Sequence, residues 1–148
     1  MGLMCYKLLF ICTGNTCRSP MAEGLARKLF GDIVQISSAG MAAWEGEEIS
    51  AHALAVLKEQ NLDLSKHRAR KITHELMADA DWIIPMTLAQ EDSLKRLFPE
   101  YESKTRSLGH WGDLKKDISD PWMGSVDVYR QTAEEIKKLL YVLKDHLL

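Results

Sequence analysis

Two kinds of segment alternate along the chain. Short continuous apolar runs give way to longer stretches in which apolar residues recur every three or four positions. The first run, Lys7-Leu8-Leu9-Phe10-Ile11, predicts a strand buried on both faces. Ile33-Val34-Gln35-Ile36 and Trp82-Ile83-Ile84 predict two more strands, with Pro85 tolerable only near the end of the latter. Thr105 to Leu108 predicts a short fourth strand. Between the strands, Ser19-Pro20 reads as a helix N-cap followed by proline at the first helical position. Met21, Leu25 and Leu29 then follow at helical spacing, with Glu23 in the first turn. Ala51 to Gln60, Thr73 to Ala78 and Leu88 to Phe98 predict further helices. A last helix from about Ser125 carries the stripe Val126, Tyr129, Ala133, Ile136, Leu140, Leu143 and Leu147. In a domain this small, that stripe predicts a face packed on a sheet in preference to a dimer seam.

Strands alternating with helices predict an α/β fold. The expected form is a single domain over residues 1–148, with a four-stranded parallel sheet and helices on both faces. In such sheets ligands sit beyond the carboxyl ends of the strands, near a switch point in strand order. The polar loop after Ile11 lies at such an end. Gly40 to Glu48 reads as a loop and Leu108 to Gly124 as an irregular stretch, while no linker, repeat or low-complexity segment divides the chain.

Charge narrows the classes. Lys and Arg number 19 against 21 Asp and Glu, a net charge of -2, which argues against a nucleic-acid binder that works by bulk electrostatics. No stretch approaches the roughly 20 apolar residues of a membrane span, and Leu8 to Ile11 is too short for a signal-peptide core. Met1-Gly2 would suit myristoylation, but Tyr6 stands where Ser or Thr is required. The three cysteines, Cys5, Cys12 and Cys17, form a poor disulfide framework and suit a reducing cytoplasm. Their spacing matches no usual zinc pattern, so no metal site is expected.

Candidate chemistry concentrates in Cys12-Thr13-Gly14-Asn15-Thr16-Cys17-Arg18-Ser19. A loop entering a helix N-terminus turns several backbone N–H groups into one concavity, and the helix dipole adds positive potential, so it forms an oxyanion site. Gly14 and Asn15 tolerate the left-handed turns that such a nest requires. Arg18 adds a planar fork able to hold two phosphate oxygens. At the end of the strand, Cys12 faces the same concavity, where these groups favour thiolate over thiol. Ser19 can donate a hydrogen bond to that sulfur. A thiolate at the floor of a phosphate nest points to attack on phosphorus without metal or cofactor. The leaving group then needs an acid. Asp120, before Pro121 in the irregular stretch, fits that role, with Asp113 and Asp117 as rivals.

Four segments carry a resemblance: Cys12 to Glu23, Ser37-Ser38-Ala39-Gly40, Asp63-Leu64-Ser65-Lys66-His67-Arg68-Ala69-Arg70, and Asp120-Pro121. In this order and spacing the chain resembles the low molecular weight protein tyrosine phosphatase family. The resemblance implies Cys12 as nucleophile, Arg18 as phosphate ligand and Asp120 as general acid and base. It implies that Thr13, Gly14, Asn15, Thr16 and Cys17 wrap the phosphate, that Asn15 fixes the loop through Ser38 and His67, and that Ser19 supports the Cys12 thiolate. Cys17 would be able to pair reversibly with Cys12 on oxidation. Phosphorylated proteins would be the substrates and inorganic phosphate the product.

The substrate divides the readings. Tyrosine-directed members usually hold a branched aliphatic residue where Thr16 stands, and aromatic residues after the acid-loop proline. Thr16 and the acid loop Asp120-Pro121-Trp122-Met123-Gly124-Ser125 look like the bacterial protein-arginine phosphatase branch. Trp44 stands where tyrosine-directed members often carry an aromatic wall, though such a wall can also stack on a guanidinium. Phosphoarginine is the expected substrate, with phosphotyrosine and Trp44 and Trp122 as a phenyl slot as the alternative. Two other functions compete. A thioredoxin-coupled arsenate reductase would need relay cysteines beyond Cys17, and a phosphate-binding module would need neither Cys12 nor Asp120.

Overall fold

The computed structural model describes residues 6–147; Cys5 and the Met1-Gly2 start lie outside them. The central strand β1 (Tyr6–Cys12) is buried from Leu8 to Cys12 because its apolar run faces both ways. Leu8, Phe10 and Cys12 enter one core, and Leu9 and Ile11 enter another, as the two-residue period of a strand requires. On one side β1 pairs in parallel with β2 (Val34–Gly40), from Tyr6 opposite Val34 to Cys12 opposite Gly40. On the other it pairs in parallel with β3 (Trp82–Pro85), from Leu8 opposite Trp82 to Ile11 opposite Pro85. The order β2-β1-β3 reverses direction at β1, so the switch point falls at the end of β1, where Cys12 sits.

The sheet has three strands among the described residues, not the expected four. Thr105 makes a single parallel bridge to Ile83, and the Arg106 N–H reaches the Ile83 carbonyl at 3.0 Å. The ladder stops there because Leu108, whose N–H would be the next to face β3, begins a 3-10 turn, while the Ser107 N–H faces away from β3 and donates to the buried Glu91 carboxylate. Leu108–Trp111 then coils into a 3-10 turn within the stretch read as irregular.

The larger core holds α1 (Arg18–Phe30), α2 (Ala51–Glu59) and α5 (Val126–Leu147) over the Leu8 and Phe10 face. The smaller holds α3 (His74–Asp79) and α4 (Leu88–Leu97) over the Leu9 and Ile11 face. Tyr129, Ala133, Ile136, Leu140 and Leu143 of the α5 stripe are buried in the same core as Leu8 and Phe10, and the helix packs mainly on α1, α2 and the 3-10 turn. Thr73 and Thr87 cap α3 and α4, the latter in a full capping box with Gln90. At α1 the expected cap is displaced. Cys17 holds the N-cap position without a side-chain bond, and Ser19 and Pro20 lie inside the first turn, where proline removes no helical hydrogen bond. Glu23 therefore lies beyond the first turn and is buried. No helix among the described residues is long and apolar enough to cross a membrane.

Phe10 is fully buried between the sheet and α1. Phe10→Ala is expected to lower the unfolding free energy by about 3–5 kcal/mol in a denaturant titration. Leu97→Ala, at a position 63% exposed, should change it by less than about 0.5 kcal/mol.

Candidate active site

The chain leaves β1 at Cys12 and enters α1 at Arg18, so the intervening residues must turn within one loop. Asn15 makes that turn in the left-handed region, at φ 57°, which its short amide side chain tolerates better than most residues. The turn aims the Asn15 N–H at Cys12 Sγ, 3.3 Å away, and Ser19 Oγ lies 2.9 Å from the same sulfur. Cys12, Asn15, Cys17, Arg18 and Ser19 are buried, Gly14 and Thr16 half-buried, and Thr13 exposed at the mouth.

Hydrogen bonding resolves the orientation of the polar groups behind the sulfur. The Arg70 N–H donates to Asn15 Oδ1 at 3.0 Å, so Nδ2 is the end that meets Ser19 Oγ and Ser38 Oγ, each at 2.9 Å. Both hydroxyl oxygens accept there and keep their hydrogens for other partners. Ser38 donates its hydrogen to Glu23 Oε1 at 2.6 Å, and that of Ser19 is left for Cys12 Sγ. Arg27 Nη2 pairs with the other Glu23 oxygen at 2.6 Å. His67 Nε2 meets the Asn15 carbonyl at 2.8 Å, and the Arg70 guanidinium donates to the Ser38 carbonyl. The loop's outer edge hangs on the segment after β2, where Met41 and Ala42 donate N–H bonds to the Cys12 and Thr13 carbonyls at 2.9 Å.

Arg18 is 6% exposed. Nη1 donates to the Ile118 carbonyl at 3.0 Å and Nη2 lies 3.6 Å from Asp120 Oδ2, so this one side chain joins the loop from Cys12 to Ser19 to the segment that carries Asp120. Asp120 is half exposed, and its other oxygen accepts the Trp122 N–H at 3.0 Å. The rivals lie elsewhere: Asp117 accepts the Leu88 N–H at the start of α4, and Asp113 is exposed on the preceding loop. Cys17 Sγ lies 3.4 Å from the Tyr129 hydroxyl. Burial, then the contact with Cys17, pushes the Tyr129 phenol up to about 12, which keeps it neutral. Trp44 and Trp122, at 80% and 69% exposure, stand out in solvent on the two loops that border the site.

A sulfur facing a helix N-terminus, with a buried guanidinium and a nearby carboxyl, is a site that can hold and attack a phosphoryl group. Residues 7–147 match the family model described as low molecular weight phosphotyrosine protein phosphatase. The chain belongs to this family. It is 39% identical over 145 residues to a protein-arginine-phosphatase of Geobacillus stearothermophilus, covering 97% of each chain. It is 36% identical to the low molecular weight protein-tyrosine-phosphatase PtpB of Staphylococcus epidermidis, covering 93% of this chain and 96% of that one. Among solved structures, a cysteine-to-serine mutant of the arginine phosphatase YwlE with a phosphorylated active site serine superposes with a TM-score of 0.89. It is 35% identical and covers 95% of each chain. The chain is thus a cysteine-dependent protein phosphatase.

Several parts of this phosphatase site escaped the reading from sequence. Glu23 looks in the sequence like a helix-end charge, yet its spacing of four from Ser19 puts both on one helix face. Gln90 was legible only as part of a helix, although it also reaches Thr13 Oγ1 at 3.2 Å. Gly40 ends the Ser37-Ser38-Ala39-Gly40 motif for a steric reason that only the fold shows. A Cβ there would lie 2.7 Å from the Thr13 carbonyl oxygen and 3.0 Å from the Asn15 nitrogen.

Gly40→Ala should therefore displace the loop from Cys12 to Ser19 and lower kcat/KM about 10- to 100-fold, with a much smaller loss of thermal stability. Tyr129 gives a second outcome. Its phenol ionises near 10 when unfolded and near 12 when folded, so the stability it contributes is complete below pH 10 and lost as pH rises toward 12. Between those values wild type should lose about 2 kcal/mol more stability than Tyr129→Phe, measured by urea unfolding.

Proposed function

We propose that this phosphatase hydrolyses phosphoarginine in proteins through a phosphocysteine on Cys12, in a reducing cytoplasm. The observation that carries the mechanism is the convergence of the Cys12 sulfur, the Ser19 hydroxyl, the Arg18 guanidinium and the Asp120 carboxyl at the start of α1.

Backbone N–H groups of Thr13 to Arg18 and the Arg18 fork would hold the three non-bridging phosphoryl oxygens. The Cys12 thiolate attacks phosphorus, the P–N bond to the guanidino group breaks, and Asp120 gives its proton to the departing nitrogen. Arginine's guanidine is a very strong base, so it leaves readily only when protonated. In the second half, Asp120 takes a proton from water as its oxygen attacks phosphorus. The P–S bond breaks, inorganic phosphate leaves and the thiolate is regenerated. Ser19 stabilises that thiolate in both halves.

Thr16 supports the choice of phosphoarginine: its half-buried hydroxyl can accept from a guanidinium or orient the attacking water, where an aliphatic side chain could not. Likeness to the Geobacillus arginine phosphatase over the whole chain supports it too. A second reading, phosphotyrosine, is favoured by the exposed indoles of Trp44 and Trp122, which offer apolar walls for a phenyl ring.

The deciding measurement is phosphate release from matched phosphoarginine and phosphotyrosine peptides, with Cys12→Ser as control. Faster release from phosphoarginine is expected, lost by more than about 1000-fold in Cys12→Ser. A preference for phosphotyrosine would transfer the function to the second reading, and release that survives in Cys12→Ser would sink the mechanism. Asp120→Ala should lower kcat about 100- to 10,000-fold on phenyl phosphate.

A further inference from the structure

The turn between β3 and α4, residues 86–90, touches both halves of the site. Gln90 is buried, and its Oε1 accepts the N–H groups of Met86 at 3.0 Å and Thr87 at 3.2 Å. With the oxygen fixed by two donors, Nε2 is the group that donates to Thr13 Oγ1, 3.2 Å away and one residue past the nucleophile. The same turn holds the acid loop. The Ile118 N–H donates to the Met86 carbonyl at 3.0 Å, and the Leu88 N–H donates to Asp117 Oδ1 at 2.8 Å. Asp120 follows two residues after Ile118. A closed circuit therefore runs from Thr13 through Gln90 and Met86 to Ile118, and back through Arg18 to the nucleophile loop.

We infer that Gln90 is a positioning residue that sets the spacing between the nucleophile at Cys12 and the acid at Asp120, acting through Thr13. The inference rests on the proposed roles of those two residues. Gln90 also makes both halves of the capping box of α4: its N–H donates to Thr87 Oγ1 at 3.1 Å, and its Oε1 accepts the Thr87 N–H. The box uses only the oxygen of the side-chain amide, which leaves Nε2 for Thr13. Without it, the nucleophile loop would keep its ties to the segment after β2 and lose its only side-chain tie to the turn that anchors the acid loop, among the described residues.

A spacing error between nucleophile and acid has a kinetic signature. Proton donation matters most for basic leaving groups, so misplacing the acid hurts phenyl phosphate more than 4-nitrophenyl phosphate. A loss of folded protein hurts both equally. The experiment measures kcat/KM on both esters for Gln90→Leu, Thr13→Val, the double variant and Gln90→Glu, with melting temperatures alongside. Gln90→Leu and Thr13→Val are each expected to lose about five- to tenfold more rate on phenyl phosphate than on the nitrophenyl ester. The double variant should lose no more than Gln90→Leu alone, because that change already removes the contact that Thr13→Val breaks. Gln90→Glu keeps the oxygen that accepts from Met86 and Thr87, and its second oxygen can accept from the Thr13 hydroxyl, so it should retain the wild-type ratio between the esters even if its charge raises KM.

Thr13→Val breaks the contact from an exposed loop position and keeps the test available should Gln90→Leu fail to fold. Hydrogen exchange at the Asn15 to Cys17 amides, faster in Thr13→Val than in wild type, reads the same tie without turnover. A wild-type ester ratio in Thr13→Val, or losses that multiply in the double variant, would overturn the inference. Absence of Cys12-dependent turnover in wild type would instead overturn the proposed mechanism, and the exchange rates would still decide whether the tie exists.

Discussion

The site depends on one side-chain amide. Asn15 occupies a left-handed backbone position, and that turn aims its own N–H at the Cys12 sulfur. Its carbonyl oxygen is fixed by the Arg70 N–H, so its amide hydrogens go to Ser19 and Ser38. All of these groups are buried or nearly so, and a buried amide left half-satisfied would cost about as much as several ordinary hydrogen bonds contribute. The arrangement is therefore all or nothing: if Asn15 is in place, the hydroxyl of Ser19 has a hydrogen to give the sulfur. The Glu23–Arg27 ion pair closes the far end of the chain by taking the hydrogen of Ser38. No single one of these bonds is strong, but none can be rearranged without stranding a neighbour.

Strand β1 explains why such a network stands where it does. Its alternate residues serve two different cores, so its carboxyl end is held from both sides before the loop begins. Gly40 is the price of that position. Opposite Cys12 in the ladder, it is where the backbone of the loop passes closest to β2. Arg18 then links the loop to a segment 100 residues later, donating to the Ile118 carbonyl and lying beside Asp120.

Much of this was legible in the residues. The apolar run of β1, the helical stripe of α5 and the loop from Cys12 to Ser19 each carry a pattern that follows from local chemistry. Thr105 to Leu108 misled because β-forming residues do not specify a partner, and the chain coils into a 3-10 turn at Leu108, whose N–H would have extended the ladder. Ser19 misled for a related reason: a serine before a proline looks like a cap, but its hydroxyl is claimed by the sulfur seven residues earlier. Ser37 to Gly40 lack the apolar residues of a strand, and β2 continues through them because β1 offers a matching edge. Gln90 was beyond reach, since its contact with Thr13 spans 77 residues and has no local sign.

The placement of the tryptophans has an optical consequence. Trp44 and Trp122 are largely in solvent on the loops around the site, whereas Trp82 and Trp111 are partly buried and meet edge to face with ring centres 5.5 Å apart. The four indoles of the chain thus sort into two populations, one red-emitting and open to iodide, the other blue-emitting and shielded. Emission from the open pair reports on the loops that border the site, and emission from the shielded pair on the fold itself. The protein therefore carries separate native signals for its two levels of order, with no label added.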